Sequence, residues 1–266
     1  MDKLVRTYQD YQRELDSRGD VFVFRGEPKS DFIIIPSALR PEHIKNADIQ
    51  MFRFVDEMKE VFGFEELTNI EIAQHFSLPT RMLDFSYSYD VALFFACKDS
   101  KGRYEDCDGK VYVFNKSKYN RILEKLNNNN KEITKNNKHL YEWLTKYVDR
   151  STDTISGEGF VFPIFVDATR SFDRLLMQKG LFLLWGKDEC CLEDICNKYD
   201  IDINSFIDVI IIDANSKKKI LEELKAKNIS EDTLFMNINK IKNLVTDIKT
   251  DSKAELLKEE KISETK

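Results

Sequence analysis

The chain has 266 residues, of which 42% are hydrophobic and 12% aromatic, so it can bury a sizeable core and is expected to be globular. Its formal net charge is −6, and charged residues of both signs are interspersed along it, which argues against a dedicated nucleic-acid-binding surface. No apolar run approaches the roughly 20 residues of a membrane helix, and the first residues lack the apolar region of a signal peptide, so we expect a soluble, cytoplasmic protein without a membrane partner.

The amino-terminal part of the chain alternates between helical and extended patterns. Apolar residues at helical spacing from Leu4 to Leu15 predict a first helix. Two apolar runs predict a buried strand and a second extended segment, and two longer periodic stretches predict helices, the first with Ile49 on its inward face. In chain order these four elements occupy residues 21–24, 32–35, 42–62 and 65–76.

The first predicted strand runs directly into Arg25, Gly26 and Glu27. A guanidinium at the end of a buried strand is held rigidly at the sheet edge, and a glycine beside it allows another backbone or a ligand to approach. This arrangement suits an arginine that binds an anion. The alternative is an internal ion pair with Asp84 or Glu27. Arg40, in the turn after the second extended segment, is a further fixed cation.

The stretch 73–86 places an imidazole, a guanidinium, a carboxylate and several hydroxyls beside the apolar run 91–97. Its last part predicts a short extended segment, after which Ser86 or Ser88 can cap a new helix. That helix, over about residues 89–98, is apolar on every side. The pattern therefore predicts a central buried helix with polar groups anchored beside it.

Two pairs of polar residues lie in or near this stretch. Glu71 and His75 are four residues apart and share a helix face, so they can orient one another, although a histidine in this setting is also a common core group. Arg81 and Asp84 are three residues apart. So close to the core, both need each other or equivalent partners, which indicates an architectural pair.

The second half of the chain predicts further strands, an insertion and a tail. Gln178 lies at the mouth of a predicted strand, as Arg25 does, and Pro163 places another strand at a sheet edge or bulge. The five cysteines lack zinc-site spacing and predict reduced thiols that mostly pack, with no metal site. The predicted elements are strands over 110–114, 160–166, 181–185 and 206–212, an inserted helical hairpin over 115–150, helices over 216–227 and 234–248, and a charged, frayed tail over 250–266.

Several ordered motifs resemble the signature of the FRG domain family, named for its Phe-Arg-Gly motif. Ser77 and Phe85 stand where that family usually has glycine and tryptophan. The first difference implies that the turn does not require a positive φ, and the second trims an aromatic side chain of the expected pocket. The motifs lie at 22–26, 36–40, 74–86 and 92–96, with later pieces around Arg174 and Gln178, so that the resemblance spans about residues 20–245.

The order of these motifs is similar to that of the ADP-ribosyltransferase fold. The resemblance implies a mono-ADP-ribosyltransferase or an NAD glycohydrolase, with NAD as substrate. Breaking the nicotinamide–ribose bond develops positive charge on the sugar, so a fixed anion or amide is needed there and a cation at the pyrophosphate. The implied catalytic residues are Arg25, Ser86, Gln178, Glu71 and His75, with Glu158 as another source of charge, and the implied ligand-binding residues are Arg25, Gly26, Arg40, Thr80, Arg81 and Ser86.

Two functions follow from these patterns. One is the NAD-using enzyme, and the other is a non-catalytic module in which the same polar cluster binds a nucleotide, a peptide or a nucleic-acid end. The expected fold is α+β, with a central mixed or antiparallel sheet, split as in ADP-ribosyltransferases, around a buried helix. Surrounding helices and the inserted hairpin complete a single domain over residues 1–249.

Overall fold

The computed structural model describes residues 3–16, 18, 22–62, 66–99, 101–126, 162–168, 177–186 and 189–235. Over these ranges the chain has an α+β fold, in which helices cover both faces of one open, mixed, seven-stranded sheet. The predicted fold class is therefore confirmed. No helix in these ranges is long and apolar enough to cross a membrane.

The sheet combines one parallel pair, β1 with β7, with antiparallel pairs elsewhere. Its spatial order is β1-β7-β4-β2-β3-β6-β5, which leaves β5 at an edge, where the preceding Pro163 interrupts no ladder. In chain order the strands are β1 (Lys3–Val5), β2 (Phe22–Glu27), β3 (Met82–Ser86), β4 (Gly109–Asn115), β5 (Ile164–Asp167), β6 (Gly180–Leu184) and β7 (Ile207–Ile212).

The helices of the described ranges pack against the two faces of the sheet, and a 3-10 turn over Ser37–Leu39 lies between β2 and the next helix. Their bounds are α1 (Tyr8–Leu15), α2 (Ala47–Phe62), α3 (Glu66–His75), α4 (Tyr89–Cys97), α5 (Lys116–Leu126), α6 (Leu192–Lys198), α7 (Lys217–Ala226) and the short α8 (Glu231–Leu234).

The core consists of two hydrophobic clusters, one on each face of the sheet. The alternation of side chains along β4 shows the division, because Val111 and Val113 face the cluster that contains α4, whereas Tyr112 and Phe114 face the other. Helix α4 is buried along almost its whole length, as its uniformly apolar sequence predicts.

Helix α4 lies unusually close to the sheet because two strands present glycine to it. A Cβ atom on Gly26 would stand 1.8 Å from the carbonyl oxygen of Ala92, and one on Gly109 would stand 2.1 Å from that of Ala96. The space beside Gly26 is therefore filled by the backbone of α4. The sequence left open whether a ligand or another backbone approaches this glycine, and the structure shows another backbone.

The centre of the sheet contains a seam between β2 and β3. These strands are paired only at Phe24 and Ser86, whereas β2 and β4 are paired at every residue from Phe22 to Glu27. The sheet thus consists of a four-stranded part, β1-β7-β4-β2, and a three-stranded part, β3-β6-β5, that share a single rung. Beyond that rung β2 and β3 make no further ladder pairs.

Several local predictions are wrong. Leu4 lies in β1, opposite Ile211, and the helix begins only at Tyr8, after Thr7, whose side chain accepts a hydrogen bond from the Asp10 amide. Residues 32–35 form no strand, because the chain turns there and the amide of Ile35 bonds to the carbonyl of Ile33.

Three further predictions about single positions are wrong. Ile49 is exposed on α2 instead of facing the core. Arg25 lies inside β2, since the strand continues to Glu27. Ser77 has a φ of 67°, so the turn keeps the left-handed backbone that glycine would favour even though serine occupies it.

Other predictions fall partly or wholly outside the described residues. Of the hairpin predicted over 115–150, the structure describes α5, and of the helix predicted over 234–248 it describes only the first two residues. The tail over 250–266, Glu158 and Arg174 also lie outside. All five cysteines are described, and they are free thiols.

Candidate functional site

A cleft of about 310 Å³ lies at the seam, between β2, β3, helix α4 and the segment that contains α8. It lies where the ladder between two central strands ends, beside the paired residues Phe24 and Ser86. Its apolar lining is largely aromatic and comes from all of these elements: Phe24, Phe85, Val91, Ala92, Phe94, Phe95 and Phe235. A concave, mainly apolar site with a few polar groups is the usual form of a small-molecule site.

Arg25 connects the two parts of the sheet. Its Nε lies 2.8 Å and its Nη2 2.6 Å from Glu27 Oε1, and its Nη1 donates to the carbonyl oxygen of Asp84 at 2.7 Å. Only 14% of the Arg25 side chain and 8% of the Glu27 side chain are exposed. The ion pair that the sequence offered as an alternative is therefore present, with Glu27 as the acidic partner, and the guanidinium replaces missing main-chain bonds across the seam.

The side chain of Asp84 belongs to a different set of contacts. Its Oδ1 accepts a hydrogen bond from Gln74 Nε2 at 2.7 Å, and Gln74 Oε1 accepts one from the Thr80 hydroxyl at 2.6 Å. Arg81 and Asp84 do not pair with each other but have the equivalent partners that the sequence left open. Arg81 is buried, contacts Asp48 and Glu189 and donates to the carbonyl of Gly186 at 2.9 Å.

Ser86 links three elements at the seam. Its hydroxyl donates to the carbonyl oxygen of Gln178 at 2.7 Å and accepts from the amide of Ser88 at 2.9 Å. Ser88, and not Ser86, caps helix α4 by accepting from the amide of Val91. Ser86 is 5% exposed, so its hydroxyl mainly fixes the strand β3 against the turn before β6.

Gln178 lies two residues before the start of β6 and is buried beside the cleft. Its Nε2 donates to the carbonyl oxygen of Leu234 at 3.1 Å, so the amide holds the segment that carries Glu231 and Phe235 against the rest of the cleft. Phe235 also packs edge-to-face on Phe95, with 6.0 Å between ring centroids. No donor among the described residues reaches the Oε1 atom of Gln178.

The remaining charged residues of the cleft are largely paired. Lys98 Nζ lies 4.0 Å from a carboxylate oxygen of Glu231, and Asp99 Oδ2 lies 3.2 Å from Arg103 Nε. Hydrogen bonds from the Arg103 side chain lower the pKa of Asp99. In the part of the chain that the structure describes, no group of His, Cys, Asp and Glu side chains is arranged to hold a metal ion.

The structure brings some predicted site residues together and separates others. Arg25, Gly26, Ser86 and Gln178 line one cleft although they come from distant parts of the sequence. The residues that do not line it are Arg40, Glu71, His75, Thr80 and Arg81. Thr80 still acts on the cleft indirectly, because its hydroxyl holds Gln74 and through it Asp84.

Sequence reasoning missed several residues of the cleft. Asp84 was considered only as an ion-pair partner, and its place in the ordered motif was the signal that it belongs to the site. The others come from separate elements and carry no pattern that would join them before the fold is known: Phe94, Phe95, Lys98, Asp99, Glu231 and Phe235.

One comparison with known proteins gives a match. Residues 20–105 match the family model of the FRG domain. The matched segment contains Arg25, Gly26, Asp84 and Ser86, whereas Gln178 lies outside it. Neither the curated proteins nor the solved structures include a match to this chain.

Proposed function

From the FRG domain that this chain carries over residues 20–105, we propose that the protein binds NAD or an NAD-like nucleotide in the seam cleft and cleaves its nicotinamide–ribose bond. One observation carries the proposal. Arg25, Ser86 and Gln178, which the resemblance to ADP-ribosyltransferases singles out, line the same cleft together with the carboxylates of Glu27 and Asp84.

The lining of the cleft suits half of a dinucleotide. Its volume of about 310 Å³ is near the lower end for small-molecule sites, which span roughly 300–1,000 Å³. A nicotinamide ring can pack among the phenylalanine rings while the ribose hydroxyls meet polar groups at the seam. The adenosine half then extends beyond the cleft.

The proposed reaction needs no redox partner. The bond between ribose C1′ and the nicotinamide nitrogen breaks, and nicotinamide leaves as a neutral molecule with the bonding electron pair. Water or an acceptor nucleophile then forms a bond to C1′ and loses a proton. Because positive charge develops on the sugar in between, carboxylates in the cleft lower the barrier.

The cleft changes the roles that the sequence suggested for single residues. Glu71 does not line the cleft, so the charge that an amide at 178 lacks is supplied in this proposal by the cleft carboxylates. Gln178 contributes its Oε1 as an acceptor for a ribose hydroxyl, since its Nε2 is bound to Leu234. Arg25 orients the main chain of Asp84 as well as facing the ligand.

The test is release of nicotinamide from NAD by the purified protein. We expect release that is lost in Arg25→Ala and kept in Arg53→Ala, a matched control in which the arginine belongs to an exposed pair on α2. A label on the adenosine part that moves to a protein indicates transfer, and a label recovered as free ADP-ribose indicates hydrolysis. Absence of NAD binding at millimolar concentration contradicts the proposal.

A second function is favoured by one contact. The Arg25 guanidinium is already neutralised by Glu27, which suits a cleft that recognises a nucleotide without reacting with it. In that case NAD and ADP-ribose stabilise the protein against heat by similar amounts, and no nicotinamide is released. Binding without turnover therefore separates the module from the enzyme.

A further inference from the structure

The charges of the cleft nearly cancel, with Asp84 as the exception. Within the described part of the chain, each of the other charged lining residues has an oppositely charged partner: Arg25 pairs with Glu27, Lys98 with Glu231, and Asp99 with Arg103. Among the described residues, the side chain of Asp84 accepts a hydrogen bond from the neutral amide of Gln74. The cleft thus retains one uncompensated negative charge, and its position is the carboxylate of Asp84.

The orientation of that carboxylate is fixed by a chain of hydrogen bonds. The Thr80 hydroxyl donates to Gln74 Oε1, and its oxygen accepts from the amide of Met82 at 3.2 Å. Because an ionised carboxylate can only accept hydrogen bonds, the amide of Gln74 points its NH₂ group towards Asp84 and its Oε1 towards the Thr80 hydroxyl, which also lies 3.3 Å from the carbonyl oxygen of Met82. Thr80 is 1% exposed, so water does not compete for the hydrogen bond at its end of the chain.

The main chain of Asp84 is fixed as well. Its carbonyl oxygen accepts from Arg25, and the residue is paired with Phe182 of the neighbouring strand β6. Asp84 is nevertheless exposed at the cleft. A charged group that is held at both ends, faces a cleft and has no ionic partner among the described residues is preorganised for a cationic ligand group.

We propose that Asp84, positioned by Gln74, selects the cationic nicotinamide ring of oxidised NAD over the neutral ring of NADH. This inference rests on the proposed function, because it assumes that the nicotinamide end occupies the cleft. One partly exposed charge pair supports a preference of about fivefold. The preference decreases as salt is added, since the carboxylate is accessible to solvent.

The test compares the dissociation constants of NAD and NADH by calorimetry. Wild-type protein is expected to bind NAD about fivefold more tightly, and in Asp84→Asn the ratio is expected to fall to about one. Asp84→Glu keeps the charge and retains part of the preference. Gln74→Leu, which removes the donor that positions the carboxylate, lowers the ratio without removing binding.

Glu222→Gln serves as the control, because it removes one negative charge from an exposed position on α7 outside the cleft. It leaves the ratio unchanged if the inference is correct. Equal affinities in the wild type, or a preference that survives in Asp84→Asn, overturn the inference and leave the proposed function standing.

If neither dinucleotide binds, the proposed function fails, and two small probes decide the charge selection by themselves. These probes are 1-methylnicotinamide, which is a cation, and nicotinamide, which is neutral. If 1-methylnicotinamide binds more tightly than nicotinamide, and this difference is lost in Asp84→Asn, the cleft is selective for cations. Equal binding of the two probes, or binding of neither, overturns it.

Discussion

Arg25 and Glu27, two residues apart on one strand, form a nearly buried ion pair in which two guanidinium nitrogens contact the same carboxylate oxygen. The third nitrogen of Arg25 is bound to the carbonyl of Asp84 across the seam. The arginine of the Phe-Arg-Gly motif is thus a structural link between the two parts of the sheet, whatever it also does for a ligand.

We expect the ion pair to behave as a unit in unfolding experiments. Removal of one partner of a buried pair leaves the other charge uncompensated, so Arg25→Ala and Glu27→Ala should each lower the free energy of unfolding by about 3 kcal/mol. The double variant should lose clearly less than the sum of the two. Urea denaturation measures all three. Arg53→Ala, from an exposed pair, should change stability by less than about 1 kcal/mol, and simple additivity at 25 and 27 would contradict the coupling.

Gly26→Ala should be strongly destabilising. Its Cβ would overlap the backbone of α4, which cannot yield without moving the whole buried helix, so we expect a loss of about 3 kcal/mol or failure to fold. Gly102→Ala is the comparison, because there a left-handed φ of 64° and no backbone overlap predict a cost of about 1 kcal/mol. Equal effects in thermal or urea unfolding would show that α4 is not held against the sheet in this way.

Ser77→Gly should stabilise the protein. A residue with a side chain in the left-handed conformation destabilises the folded state by about 1–2 kcal/mol. Glycine removes this strain, but part of the gain is lost because glycine also gives the unfolded chain more conformational freedom. The net gain should be about 0.5–1 kcal/mol, measured as a shift of the urea midpoint without a change in slope. Ser77→Ala keeps the unfavourable conformation and should give no gain.

The thiol of Cys97 should react slowly with thiol reagents. It should also make the free energy of unfolding decrease at alkaline pH. Burial raises its pKa from 9.0 to about 12, so at pH 8 its thiolate population is about a thousandfold lower than that of an ordinary thiol. Cys107 and Cys190, which are only half-buried, should react with a thiol reagent before Cys97 does.

The sign of the pH effect follows from the same raised pKa. Above pH 9 the unfolded chain gives up the proton of Cys97 while the folded chain keeps it, so the contribution of Cys97 to stability is constant below pH 9 and declines as the pH rises towards 12. Cys97→Ala should flatten this decline, as measured by urea unfolding between pH 8 and 10.5. An unchanged slope would show that the thiol is not responsible.

Local patterns predicted the main elements because each follows from the chemistry of neighbouring residues. The buried helix α4, the strand β3 before it and the edge position of β5 after Pro163 all follow from periodicity, capping and the missing amide of proline. The same reasoning failed at Leu4. Its spacing to Tyr8 is that of a helix, but its main chain lies in β1 and pairs with β7.

The site was harder to predict because its decisive contacts join distant segments. The local sequence does not decide between Glu27 and Asp84 as the ionic partner of Arg25, and nothing in it shows that Arg81 reaches Asp48 or that Gln178 holds the segment at Leu234. Each of these contacts depends on the three-dimensional arrangement of strands and helices, because that arrangement determines which side chains lie close together.

The single rung between β2 and β3 divides the sheet into two sets of strands that are hardly connected by backbone hydrogen bonds. Each set of strands is braced by its own ladder, while the contacts between the sets are made mainly by side chains, such as Arg25 on the carbonyl of Asp84 and Phe85 on Phe114. Replacements at those few positions can open or narrow the gap while the ladders stay intact. A gap of this kind can be reshaped for other ligands by single substitutions, because the contacts across it are made mainly by side chains and not by backbone hydrogen bonds.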